Sequence, residues 1–219
     1  MARKKKSPTW VLIVTLLAAA VLLWIDNREE VEPGVEKIQG EGDFEVVGGY
    51  ERMERCKLVG HRNNDGDSFH VKVPGRGVQE FRLYFVDAPE SAYKEYRDGN
   101  TNAERLGDQG DYFGNLSQRE TTDLGMRAKK RVTELLGGKS FTVYSKGEEV
   151  YEGPRLYSFV EVESGGKKRW LREVLVEEGL ARIYTKGERL PDGTSEGKEK
   201  GRLKGVERAA RKRRVGGWR

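Results

Sequence analysis

Apolar residues follow two unlike patterns along this chain. From Trp10 to Ile25 they form an unbroken run without charge, preceded by RKKK at 3–6 and followed by Asp26, Glu29 and Glu30. No polar stripe interrupts the run, so it does not read as one face of a soluble helix. Its sixteen residues reach about 24 Å at about 1.5 Å each. Flanking Ser7–Thr9 and snorkelling lysines make up the difference to a hydrocarbon core of about 30 Å. The pattern predicts a basic cytoplasmic terminus at 1–9, a transmembrane anchor at 10–25, and a periplasmic or extracellular remainder, because Lys and Arg stay inside. A cleaved signal peptide with Ala18–Ala20 as its small-residue site is the competing reading. Against it, the apolar run continues through Val21–Ile25, and Trp10 and Trp24 suit the two interfaces.

Residues 26–49 hold eight acidic and two basic residues with five glycines and no sustained periodicity, which predicts a flexible acidic linker. Beyond it, from residue 50 to 219, the pattern is that of a folded domain. Short alternating stretches predict strands at about 54–61, 67–73, 79–86, 139–145, 156–162 and 167–171, spaced as in an antiparallel barrel. SGGK at 164–167 is a hairpin turn, since glycines take the positive backbone angles that tight turns demand. Leu124, Ala128, Val132, Leu135 and Leu136 recur at helical spacing until Gly137-Gly138 ends the run. A second short helix is expected at about 171–179 and a third within 202–214.

Composition sharpens this picture at the ends. The formal charge is +5, but residues 1–6 carry four basic groups and residues 198–219 carry +8, which leaves the middle at about −7. A net acidic body does not coat nucleic acid through overall charge, so phosphate chemistry must come from a local site. Cys56 is the only cysteine, which excludes an intramolecular disulfide and a cysteine-based zinc site. His61 and His70 lie in one short stretch and do not make a zinc site alone.

The candidate chemistry lies in DGDS at 65–68 and FRLYFVDAPES at 81–91. Two strands joined by a turn bring Asp67, Arg82, Asp87 and Glu90 near one another if the second strand ends at Asp87. Hard carboxylate oxygens suit calcium or magnesium, and an arginine fork matches a phosphate. DGD is also a common turn signature. An EF-hand fails: with Gly66 at the sixth loop position, Lys72 stands where the twelfth-position carboxylate is required. Neither a GxSxG elbow nor a P-loop occurs.

In order and spacing, DGDS at 65–68, RLYFVDAPE at 82–90, GMRA at 125–128, PRLYSFV at 154–160 and LVEEGLA at 175–181 resemble the staphylococcal nuclease family. Ala209, Ala210 and Trp218 are similar to its last helix and tryptophan. The resemblance implies an α+β, mainly β fold, a five-stranded OB-type barrel with three helices. It also implies a calcium-dependent endonuclease that cuts DNA and RNA, preferring single strands, and leaves 3′-phosphates. The family's calcium carboxylates fall on Asp67 and Asp87, with a backbone carbonyl contact on Ala88. Its general base falls on Glu90 and its phosphate-binding arginines on Arg82 and Arg155. Three departures stand out: Ser68 for threonine, Pro154 for the glycine before the arginine, and Arg172 for a common asparagine.

The stretch from about 93 to 120 is longer than the family's connection by roughly twenty residues. Rich in Gly, Asn and Asp, it predicts turns rather than a packed element, and a mobile flap over the site whose Tyr112 and Phe113 stack on unpaired bases. The opposing expectation is that these two aromatics pin the loop to the barrel. Two other readings compete for the whole domain: a non-catalytic OB-fold module that binds nucleic acid, and a membrane-bound adaptor. No feature points to a protein partner, and a monomer is expected.

Overall fold

A computed structural model describes residues 36–38, 44–151 and 153–218. The anchor expected at 10–25 lies outside them; among the described residues no helix is long and apolar enough to cross a membrane.

Strands β1 (Glu36–Ile38) and β2 (Phe44–Val47) lead by antiparallel pairing into β3 (Tyr50–Leu58), β4 (Ser68–Val73) and β5 (Gly77–Leu83). After β6 (Val86–Asp87) come helices α1 (Ala103–Tyr112) and α2 (Gln118–Leu136). They are followed by β7 (Phe141–Ser145), β8 (Arg155–Ser164), β9 (Lys167–Trp170), α3 (Leu171–Glu177), β10 (Arg182–Ile183) and α4 (Glu196–Arg213). Strands β3-β4-β5-β8-β7 close on themselves through β7–β3 pairing, a five-stranded barrel. The expected barrel was antiparallel. The observed one is mixed, because β8 pairs parallel to β5 after a crossover that includes both helices. Three helices were expected beside the barrel and four are present among the described residues, the additional one being α1, in the stretch expected to form turns.

Alternation builds the barrel. Phe69, Val71 and Val73 of β4 point inward between His70 and Lys72, while Tyr50, Met53 and Cys56 of β3 do so across a bulge at Arg55, whose φ is +55°. Each fully buried core side chain contributes roughly 1.5–3 kcal/mol of hydrophobic stabilisation. Strands β1 and β2 fall inside the stretch expected to be a flexible linker. Glu45–Val47 pairs with Tyr50–Arg52 across the Gly48-Gly49 turn, an ordering that local acidic composition conceals.

Helix α2 starts in a capping box, with Ser117 Oγ accepting from the Glu120 amide and the Glu120 carboxylate accepting from the Ser117 amide. Its apolar face buries Leu124, Ala128, Val132, Leu135 and Leu136, as the spacing predicts. Helix α4 docks through buried Leu203 and Ala210, and through Glu199, which accepts two hydrogen bonds from the buried Arg172 guanidinium (2.7 and 3.1 Å).

Helix α1 replaces the expected turns. Leu106, Gln109 and Gly110 share its buried face, and Phe113 follows one turn on. Gly110 is required: a Cβ there would lie 2.4 Å from the Leu116 carbonyl oxygen. The segment before α1 is tied down by Asn102, which accepts from the Lys94 amide (2.7 Å) and donates to the Ala92 carbonyl (2.9 Å).

Candidate active site

Strands β4 and β5 put the two predicted motifs side by side, with Ser68 opposite Arg82 in the ladder. The turn before β4 is compressed, since a Cβ on Gly66 would lie 2.7 Å from both the Ala88 and Ala128 methyls. After β5, Phe85 takes a left-handed φ of +71°, turning the chain so that Val86 and Asp87 pair with Ile183 and Arg182 of β10. Asp67 and Asp87 are thereby buried together, Asp87 completely.

One guanidinium joins them. Arg82 Nη2 donates to Asp87 Oδ1 (2.8 Å), and Nη1 donates to Asp67 Oδ1 (3.3 Å) and Ser68 Oγ (3.2 Å). Asp67 Oδ2 accepts from the Ala88 amide (2.8 Å). Burial pushes the Asp67 carboxyl up despite the neighbouring Arg82.

Four residues that sequence reading did not single out complete the site. Arg105 of α1 bridges Asp87 Oδ1 (Nη2, 2.6 Å) and Glu90 Oε1 (Nε, 2.9 Å). Gln109, one turn further on, donates to Asp87 Oδ2 (3.0 Å) and the Ala88 carbonyl (3.1 Å), and its oxygen accepts from the Glu90 amide (3.0 Å). Arg182 Nε donates to Asp87 Oδ2 (2.8 Å), and Lys94 Nζ reaches Glu90 Oε2 (2.8 Å). Burial works to raise Asp87, but Arg105, Gln109, Arg182 and Arg82 together hold it below its ordinary value. Glu90 is also held low: burial opposes this, and Lys94 and Arg105 outweigh it. The one signal for Arg105 and Gln109 was their i, i+4 spacing, which puts both on one helix face.

Part of this cluster opens onto a cleft of about 680 Å³, bounded by Arg82, Lys94, Arg105, Arg155 and Lys186 against Asp87 and Glu90. Arg155 opens β8, and Pro154 lies just outside the strand, so its missing N–H leaves no gap in the ladder. Among the described residues Arg155 has no ion-pair partner. Exposed Tyr96, Tyr151 and Tyr184 stand around the rim.

Tyr112 and Phe113, expected to stack on bases, turn inward instead. Phe113 is buried with its ring centroid 4.7 Å from that of Trp218, and the Tyr112 hydroxyl bonds to Glu207. A helix terminus with an apolar residue on its buried face delivers that residue to the core, so these aromatics pin this segment.

The family model for staphylococcal nuclease homologues matches residues 80–219. The chain belongs to the staphylococcal nuclease family. No curated protein matches it. The matched stretch takes in Arg82, Asp87, Ala88, Glu90 and Arg155, whereas Asp67 lies before it. Membership gives the domain a nuclease-type or nucleic-acid-binding fold.

The calcium implied by the family resemblance can be tested against the donor set. Oxygen ligands of the right kind converge in Asp67, Asp87 and the Ala88 carbonyl. A carboxylate offers about four lone-pair sites, and Asp87 already accepts from Arg82 and Arg105 on one oxygen and from Arg182 and Gln109 on the other. The Ala88 carbonyl is taken by Gln109. Among the described residues no group of three or more His, Cys, Asp or Glu is placed to hold a metal ion. As folded, this family member's site does not fit calcium.

Proposed function

We propose that the domain is an endonuclease that hydrolyses phosphodiester bonds of DNA and RNA, acting on unpaired strands. The observation that carries this reading is the placement of Arg82 and Arg155 on paired strands β5 and β8, facing one cleft with the Glu90 carboxylate. Two arginines stabilise the charge that gathers on a pentacoordinate phosphate, and a carboxylate beside them orients the attacking water and takes its proton. The water oxygen bonds to phosphorus and the 5′ oxygen leaves, giving a 3′-phosphate. Calcium dependence, which the resemblance carries, needs oxygens of Asp67, Asp87 and Ala88, and α1 engages those of Asp87 and Ala88. Because Lys94 and Arg105 hold Glu90, substrate phosphate must draw these cations away before Glu90 accepts a proton. The same contacts favour a second reading, a non-catalytic OB-fold module for nucleic acid or an adaptor at the membrane.

Hydrolysis of single-stranded DNA separates the two. Release of acid-soluble nucleotides that falls by orders of magnitude in Glu90→Gln supports the enzyme. Binding without release supports the module.

Residues 10–25 are proposed as a single-pass anchor with the domain outside the cytoplasm, on the strength of RKKK before the run and acidic residues after it. External protease then degrades the domain in spheroplasts. Survival until the membrane is permeabilised contradicts that orientation.

A further inference from the structure

The carboxylates at the cleft are engaged by cations of the chain itself. Asp67, Asp87 and Glu90 are bonded directly by Arg82, Lys94, Arg105 and Arg182. A divalent ion placed among them would meet four cations at close range and find no open lone pair on Asp87. Two of the groups that close the site, Arg105 and Gln109, come from α1. That helix lies in the segment between Glu90 and α2.

Arg105 is not needed to dock that helix. Leu106, Gln109, Phe113 and the close approach at Gly110 already hold it, and the Arg105 side chain is 38% exposed along the cleft wall. Its guanidinium instead reaches out of α1 to bridge two carboxylates from the strand exit. A planar cation with two donors set toward two different carboxylates acts as a fixed positive charge between them.

We propose that Arg105 is a built-in occupant of the cation position between Asp87 and Glu90, with Gln109 closing the remaining oxygens, so that the folded protein excludes divalent cations from this site. Arg105 is then also a third phosphate-facing cation of the cleft, beside Arg82 and Arg155. This rests on the reading of the cleft as a phosphodiesterase site, but the exclusion itself can be measured without catalysis.

The test is calorimetric titration of the full chain with calcium chloride, comparing wild type with Arg105→Ala/Gln109→Ala, Arg105→Lys and Arg105→Ala. Circular dichroism melting confirms that each is folded. Wild type and Arg105→Lys are expected to show no binding up to millimolar calcium. The double variant is expected to gain one site, at least tenfold tighter than any residual wild-type binding, that is lost again on adding Asp67→Asn. Should the double variant fail to fold, Arg105→Ala carries the test, since it removes the occupant and frees a lone pair on Asp87 Oδ1 and on Glu90 Oε1 while Arg82 and Arg182 still hold Asp87.

One-site calcium binding by wild type as tight as that of the variants would overturn the inference. So would an absence of binding in every folded variant, because Arg105 and Gln109 would then not be what keeps the cation out. Nuclease activity of wild type that is abolished by a calcium chelator and restored by calcium would also overturn it, while leaving the phosphodiesterase reading intact. The expected binding pattern with no nuclease activity in any protein would do the reverse.

Discussion

A Cβ added to Gly125 would lie 2.4 Å from the carbonyl oxygen of Glu90. No rotamer relieves that contact, because the backbone fixes the Cβ position and its partner is a backbone oxygen, so Gly125→Ala must move α2 away from the Asp87–Glu90 exit. Displacing reacting groups by about 1 Å costs on the order of 100-fold in rate. The variant is expected to lose about that much kcat, with a lowered melting temperature. Gly107→Ala on the exposed face of α1, where nothing lies within 4 Å of the new methyl, is the control. It should raise stability by up to about 1 kcal/mol, as a helical glycine replaced by alanine does.

Removing Arg82 is expected to cost more than catalysis. It joins buried Asp67 to buried Asp87, and deleting one partner of a buried ionic set costs about 3–5 kcal/mol. Chemical denaturation of Arg82→Ala should show a loss of that order, whereas Arg155→Ala, a partly exposed residue without an ion pair among the described residues, should unfold like wild type. Equal stability of the two variants would contradict the bridging role.

The basic C-terminal segment is expected to behave as a structural element. Truncation after Gly197 removes Leu203, Ala210, Trp218 and the Glu199 partner of Arg172, all buried. The shortened chain should lose near-UV circular dichroism. If it stays folded and binds DNA with a shallower salt dependence, the helix serves phosphate affinity instead.

Acid sensitivity should trace partly to Glu199. Burial works to raise this carboxylate, but Arg202 and Arg172 hold it below its ordinary value, so the folded chain binds fewer protons there than the unfolded one. Its stabilisation is therefore complete above about pH 4.5 and is lost as pH falls through the lower folded value. Glu199→Gln should be less stable at neutral pH and show a flatter decline in acid, measured by urea unfolding between pH 3 and 7. An unchanged acid limb would show that other carboxylates govern it.

What could be read beforehand follows physical lines. The barrel strands were legible because inward positions alternate, and the Asp67, Arg82, Asp87 and Glu90 cluster was legible because one hairpin puts Ser68 opposite Arg82. Helix α1 was not, since its buried face carries one aliphatic residue, Leu106, beside Gln109 and Gly110, and its glycines read as turns. Its polar Gln109 is buried because its partners are site atoms far away in sequence. Arg182 was missed for the same reason: it meets Asp87 across 95 residues through a two-residue strand. Strand β1 depends on pairing with β2 and β2 on pairing with β3, and they leave only Ile38, Phe44, Val46 and Val47 as local trace.

The central claim is that this cleft cuts phosphodiester bonds, and single-turnover cleavage of a 5′-labelled single-stranded oligonucleotide by wild type and Arg155→Ala tests it most directly. Loss of a transition-state charge partner predicts a cleavage rate lower by about 100-fold or more. Oligonucleotide affinity should change far less and the unfolding curve not at all, with 3′-phosphate ends on the wild-type product. Wild-type cleavage rates in Arg155→Ala, or tight binding by the wild-type protein with no cleavage whether or not calcium is present, would contradict the account.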